Sequence, residues 1–300
     1  SIGNISVEKR GTGTQILANN NGYYGTTLIS GGTLQVGAGG VAGSLGFGVI
    51  TNNADLVFNR ANNSQQLTIA QSIDGTGDIT IVRSGGIRFA NDPSSTFSQA
   101  NVTIEDSGDN RTIQFSGNTT ISDILTVEAG TANYNVSFLG SSNSVCGQTT
   151  FLKQGKLILG NEATDSITFT GGVIATAPSR REVSGTVSVS GAGGIDFSRE
   201  GTGTYFMHNA TLGGTGTGQG TGAIKLGYAE LASNVSLTLG TGTASGLTTG
   251  ALMGSLSDTS SVTIDIDGDV TVQVIRADAV TISKGDNITF TNGVLANTLD

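Results

Sequence analysis

Few residues in this chain are equipped for chemistry, and their spacing limits what they could do. His208 is the one histidine in 300 residues, so a two-histidine zinc motif is excluded and a serine nucleophile is offered a single base. It sits in Tyr205-Phe206-Met207-His208-Asn209 and reads as an edge or loop histidine; no GxSxG elbow occurs anywhere. Asp265-Ile266-Asp267-Gly268-Asp269 spaces carboxylates along one strand face and across a glycine turn. Such a set supplies hard oxygen donors for calcium, or simply an acidic surface strand and turn. It lacks the later glutamate of an EF-hand loop, and the same carboxylates could act as acid and base in polysaccharide cleavage. Lys284-Gly285-Asp286 has the form of a receptor-read tripeptide, although Gly-Asp is also an ordinary turn. Arg180-Arg181 is the closest cluster of cations and is expected in an exposed loop, as a partner contact or a processing site. Cys146 has no second cysteine to pair with and reads as a small buried hydrophobe. No cofactor is expected.

The composition is unusual for an enzyme. Glycine takes 47 of 300 positions, proline two, tryptophan none, and charged residues are 12%. Hydrophobic residues are nonetheless 36% and recur along the whole length, which excludes disorder. Glycine has no three-residue period, which excludes collagen, and no apolar run is long enough for a membrane-spanning helix. The net charge of -9 with scattered cations argues against nucleic acid as a partner. The chain starts at Ser1 without a basic and apolar leader, so an export signal is expected to have been removed or to lie outside it.

The elements that must carry these residues show a period. Thr33-Leu34-Gln35-Val36, Asp55-Leu56-Val57-Phe58, Asp78-Ile79-Thr80-Ile81, Asn101-Val102-Thr103-Ile104 and Ile124-Leu125-Thr126-Val127 align, with steps of 22, 23, 23 and 23 residues between the leading apolar positions. In each, two apolar residues flank one that is usually polar, so both apolar side chains face one way. Units of the same kind return around Ile167, Ile195, Val235, Val262 and Ile288. Similar short strands returning every 23 residues predict an all-β fold, a right-handed parallel β-helix of roughly 13 coils. A single solenoid is expected over residues 1–300. Glycine and asparagine would turn its corners, while proline, which removes ladder hydrogen bonds, would be scarce. Pro93 and Pro178 mark expected loop excursions near 91–98 and 175–185.

Residues 11–36, GTGTQILANNNGYYGTTLISGGTLQV, closely resemble the passenger-associated transport repeat of bacterial autotransporters. The matching residues include Gly11-Thr12-Gly13-Thr14, Leu17, Asn20, Tyr24-Gly25-Thr26-Thr27, Ile29-Ser30, Gly32-Thr33-Leu34 and Val36. The segment at 36–60 looks like the continuation of this repeat in large passengers. Residues 159–177 are similar to segments of large surface antigens of intracellular Gram-negative bacteria. The resemblance implies a secreted passenger, exported through its own C-terminal outer-membrane β-barrel, which is absent from this chain, and folded outside the cell. It also implies that the repeat assists translocation and folding.

The expected function is therefore that of a surface-exposed or released adhesin stem or virulence factor. It would bind a host cell-surface or matrix protein through its loops and side ladders, with Lys284, Gly285, Asp286, Arg180 and Arg181 as contact candidates. Asp265, Asp267 and Asp269 form the calcium candidate. The alternatives are a carbohydrate-active β-helix, either lyase or hydrolase, and a purely structural spacer.

Overall fold

The computed structural model describes residues 4–92, 94–199, 201, 203–213 and 221–300. Pro93 lies outside them. The regular elements among these residues are β-strands with no helix. They form a parallel β-solenoid of about 12 turns, one fewer than a uniform 23-residue period would produce. The coils are not uniform: in the C-terminal part Leu157, Arg181, Thr204, Ala229 and Leu252 stack in register, at steps of 24, 23, 25 and 23 residues. The chain divides into two compact units, Ser1–Asn143 with Leu152–Gly155 and Ser144–Phe151 with Lys156–Asp300.

In the first unit the periodic segments form a six-stranded parallel sheet of Thr14–Leu17, Thr33–Val36, Asp55–Asn59, Asp78–Arg83, Asn101–Ile104 and Leu125–Val127. The leading positions Leu34, Leu56, Ile79, Val102 and Leu125 are direct register partners. All five are buried. Between this inward column and the next, of Val36, Phe58, Ile81, Ile104 and Val127, the outward residues Gln35, Val57, Thr80, Thr103 and Thr126 stack with one another. Alternation of side chains along a strand produces both faces from one pattern.

Two further parallel stacks run through this unit, the second beginning only at Leu67. One runs through Val7–Lys9, Thr27–Ile29, Ile50–Asn52, Ile73–Asp74, Thr96–Gln99 and Asn118–Ile121. The other runs through Leu67–Thr68, Ile87–Phe89, Thr112–Phe115 and Asn135–Phe138. Register brings like side chains together inside. Phe89, Phe115 and Phe138 stack, with centroids 5.5 and 4.7 Å apart, and Phe97 meets the edge of Phe115 at 5.0 Å. Such ring pairs contribute about 0.5–1.5 kcal/mol each beyond their burial.

Cations also enter the interior, where backbone carbonyls receive them. Lys9 Nζ donates to the carbonyls of Arg10, Gly11 and Gly31 at 2.8, 2.9 and 2.8 Å. Gly32 makes this possible: its φ is +65°, and a Cβ there would lie 2.8 Å from Lys9 Nζ and 2.4 Å from the Gly11 carbonyl oxygen. Lys153, fully buried, donates to the Gly155 carbonyl at 3.0 Å.

The second unit uses longer strands that turn a corner. Arg180–Val189 pairs with Lys156–Leu159 through its first half and with Ser166–Phe169 through its second. Thr204–Gly213 lies on Arg180–Val189, with a register shift between Val183 and Gly185. Val183 faces Phe206 and Gly185 faces Ala210, so Met207, His208 and Asn209 bulge out opposite Ser184. The halves of these strands continue into separate stacks, one through Ala229–Leu231 and the other through Ser236–Leu239, Ser261–Asp265 and Ala279–Lys284. A third stack contains Val173–Ile174, Ile195–Phe197, Ile224–Leu226, Gly246–Met253, Asp269–Arg276 and Ile288–Phe290.

The expected excursion at 175–185 is thus confined to 175–179, and Thr96–Gln99 closes the one at 91–98. Arg181 accounts for the first of these. It is fully buried in the inward column between Leu157 and Thr204. Its guanidinium donates to Thr204 Oγ1 at 3.0 Å and to the carbonyls of Ala175 and Pro178 at 3.2 and 3.0 Å. The arginine read as an exposed contact or processing residue instead holds the connecting segment from within. Desolvation, followed by the nearby Arg199 charge, pushes its pKa down to about 10.

Two predictions follow from these interior cations. Arg181→Ala removes packing together with the hydrogen bonds to Thr204, Ala175 and Pro178. A loss of about 2–4 kcal/mol is expected in urea unfolding, with faster proteolysis at 175–179 in the folded state. Burial pushes Lys153 from 10.5 down to about 7, so the unfolded chain binds a proton there that the folded chain releases. Stability should accordingly rise between about pH 7 and 10.5, the full cost of burying the charge being felt below that window. Lys153→Met should remove this slope, which is checked by comparing urea midpoints of the two proteins across the window.

Candidate functional site

Strand alternation splits the arginine pair. Arg181 points inward, and Arg180 points outward with a side chain 34% exposed. The register that pairs Arg181 with Thr204 and Thr204 with Ala229 sets outward residues on either side of it. One column runs Glu182, Tyr205, Glu230; on the other side Arg180, Gly203 and Tyr228 each precede a register partner, with the Gly203 and Tyr228 carbonyls accepting from Arg181 N and Thr204 N. Together they frame a cleft of about 450 Å³ lined by Ser179, Arg180, Gly201, Gly203, Tyr205 and Tyr228.

The floor of this cleft is a glycine for a steric reason. A Cβ on Gly203 would lie 3.0 Å from ring carbons of both Tyr205 and Tyr228, so a side chain there would push the two rings aside. Tyr228 remains 40% exposed. The Arg180 guanidinium lies over the Tyr205 ring, 3.6 Å from its centroid, an attraction worth about 0.5–1 kcal/mol or more as water is excluded.

Charges at the rim are paired locally. Arg180 Nε donates to Glu182 Oε1 at 2.5 Å, and Lys156 Nζ reaches the same oxygen at 3.3 Å. Burial pushes the Glu182 carboxyl up, but the hydrogen bonds from Arg180 and Lys156 outweigh it and hold the group below its usual range. The Tyr228 hydroxyl donates to Glu230 Oε2 at 3.4 Å. Burial, then the Glu230 charge, raises the Tyr228 pKa. The described residues of the site therefore join aromatic surface, a guanidinium, carboxylates and hydroxyls.

The other residues singled out in the sequence lie elsewhere. His208 is exposed on the outward bulge, where its Nδ1 and Ser184 Oγ stand 3.1 Å apart. This pairing is invisible in sequence, and Ser184 is itself buried. Asp267 and Asp269 are exposed and Asp265 half-buried. Lys284 donates to Asp267, and to the Gly242 carbonyl at 3.0 Å, while Asn287 donates to Asp269 at 2.7 Å. Among the described residues no three histidine, cysteine or acidic groups are disposed to hold a metal ion. Lys284 ends the strand Ala279–Lys284, and Gly285 and Asp286 lie in the segment that follows it. The Asp267 hydrogen bond, the largest influence, raises the Lys284 pKa. Cys146 is exposed and free, contrary to its reading as a buried hydrophobe. Val145 takes the inward position, and the next residue in an alternating strand faces out.

Reasoning from the sequence missed Tyr205, Tyr228, Glu182 and Glu230 as a group. A signal existed, because Tyr205 and Tyr228 are separated by 23 residues, the period itself. The intervening coil is 25 residues long, however, so Tyr205 pairs with Glu230 and Tyr228 falls one residue before Ala229, the partner of Thr204. A separate aromatic surface lies in the first unit, where Tyr24 and Phe47, both exposed, have centroids 5.3 Å apart.

The family model described as Passenger-associated-transport-repeat matches residues 7–36, extending the resemblance at 11–36 back through the strand that carries Lys9. The Adhesin BmaC autotransporter of Brucella suis biovar 1 (strain 1330) is 36% identical over 75 residues, which is 25% of this chain and 2% of the relative. The chain thus matches only a small part of that protein. No solved structure matches. The transport repeat at 7–36 and the similarity to an autotransporter adhesin support a passenger domain of an autotransporter, the kind of protein that the sequence resemblance implies.

Proposed function

We propose that this passenger segment is an adhesive surface, displayed outside the cell, that binds a host surface component through outward side chains of its coils. The observation that carries the reading is the Tyr205–Tyr228 cleft. It combines exposed aromatic surface with convergent polar groups, the makeup of a recognition site, on a backbone held by parallel strands on both sides. Similarity to an autotransporter adhesin supports the same class of activity. The transport repeat at 7–36 would assist export and folding, since each coil offers the next a hydrogen-bonding edge, and export would use the protein's own C-terminal β-barrel. The surface would act either attached or released.

A polysaccharide-cleaving enzyme is the less favoured reading. General-acid catalysis needs a carboxyl group with a raised pKa, whereas the hydrogen bonds from Arg180 and Lys156 hold Glu182, at the cleft, below its usual range. Lys284, Gly285 and Asp286 are a less favoured contact than the cleft, because Lys284 is already engaged by Asp267 and the Gly242 carbonyl.

The test is adhesion of cultured mammalian epithelial cells to surfaces coated with the purified chain. The account expects binding several-fold above an albumin-coated surface, and a loss of most of that excess for the Tyr205→Ala/Tyr228→Ala variant. Adhesion no greater than to albumin would overturn the adhesive reading. Full adhesion by the double variant would remove the cleft from it.

A further inference from the structure

The chemistry of the cleft narrows the kind of ligand it can take, and the argument rests on the adhesive reading above. We propose that the cleft between Tyr205 and Tyr228 binds a neutral sugar ring at the exposed end of a host glycan. Three features of the site converge on this class.

The first is shape. Two tyrosine rings flank Gly203, which carries no side chain, and the volume of about 450 Å³ lies in the lower part of the roughly 300–1,000 Å³ range of small-molecule sites. That is room for one or two pyranose rings, and too little for a folded peptide. A pyranose has an apolar face of C–H groups, which packs on an aromatic ring, and a rim of hydroxyls.

The second is the polar complement. The remaining N–H groups of Arg180, the carboxylates of Glu182 and Glu230, the Tyr228 hydroxyl and Ser179 border the rings. Vicinal hydroxyls both donate and accept, so they can use carboxylate and guanidinium together. Hydrogen bonds to charged partners are the stronger kind.

The third is charge balance. Arg180 is committed to Glu182 at 2.5 Å and lies on the Tyr205 ring, and Lys156 shares the same carboxylate. An anionic sugar would have to share Arg180 with the Glu182 carboxylate, lie close to Glu230, and approach a chain of net charge -9. A quaternary ammonium, the usual ligand of an aromatic cage, would meet the Arg180 guanidinium. A neutral ring meets neither obstacle.

The cleft is open, so affinity per site should be low, with a Kd of about 0.1–10 mM. Many copies on one surface would convert this into firm attachment.

Saturation-transfer NMR and tyrosine fluorescence titration on the whole chain test the proposal. The probes are methyl β-galactopyranoside, methyl α-glucopyranoside, methyl α-mannopyranoside, lactose and sialyllactose. With no tryptophan and five tyrosines, emission reports on few rings. At least one neutral glycoside should bind, with transfer strongest to ring C–H protons. Tyr228→Ala should weaken it about tenfold, the equivalent of losing one stacking contact. Tyr228→Phe should keep it within about threefold, and Tyr24→Ala, on the first unit, should leave it unchanged. Tyr228 is exposed, so its variants are expected to fold.

Absence of transfer from every neutral glycoside would overturn the proposal, as would binding that survives Tyr228→Ala. Binding of sialyllactose alone, abolished by Arg180→Met, would overturn it in favour of an anionic ligand. Tyrosine-dependent cell adhesion that no neutral sugar inhibits would refute the sugar assignment and leave the adhesive reading standing. Glycoside binding by a chain that fails to hold cells would uphold the sugar assignment and refute adhesion.

Discussion

Everything in this structure depends on coil-to-coil register. Parallel strands stack with each residue directly over its counterpart, at a spacing of about 4.8 Å, so every position in a coil belongs to a column. A column facing inward must be apolar or bring its own hydrogen-bond partners, because buried polar groups left unpaired cost about 1–3 kcal/mol each. The column of Leu34, Leu56, Ile79, Val102 and Leu125 takes the first course. Arg181 takes the second, with Thr204 stacked beside it and two carbonyls in reach.

The same constraint accounts for the composition and for the site. Corners between short strands need residues that accept positive φ, which is where much of the glycine is used. Outward columns are free of packing demands and can collect unlike side chains. In the second unit one such column holds Glu182, Tyr205 and Glu230, and Arg180, Gly203 and Tyr228 stand one residue before the neighbouring inward column. Neither set makes a cleft alone. Gly203 opens the space, and a tyrosine from each set lines it.

How far the sequence can be read follows from this geometry. The fold was legible because inward columns repeat the same apolar types at nearly constant spacing, and the register partners of Leu34 through Leu125 are those the period selects. The transport repeat was legible because its residues are consecutive. Local features that depend on alternation within one strand were misread: Arg181 and Cys146 each lie on the face opposite to the one expected, since a dibasic pair or a lone thiol carries no sign of its phase. The cleft was hidden for a different reason. It depends on a coil of 25 residues between Thr204 and Ala229, and two extra residues move Tyr228 out of the column that constant spacing would assign it. The bulge that brings His208 to Ser184 is hidden in the same way, by three residues facing one.

Register at the cleft can be measured directly by disulfide trapping in a Cys146→Ser background. Residues in register on parallel neighbours stand about 4.8 Å apart, within the roughly 4.4–6.8 Å that a disulfide spans. An offset of two residues along the strand adds about 6.6 Å of lateral displacement and takes the pair beyond that reach. Tyr205→Cys with Glu230→Cys should therefore oxidise readily to an intramolecular disulfide, and Tyr205→Cys with Tyr228→Cys should not. The opposite outcome, trapping of the 205–228 pair and not of 205–230, would mean that the coils follow the uniform period and would contradict the register on which the cleft rests.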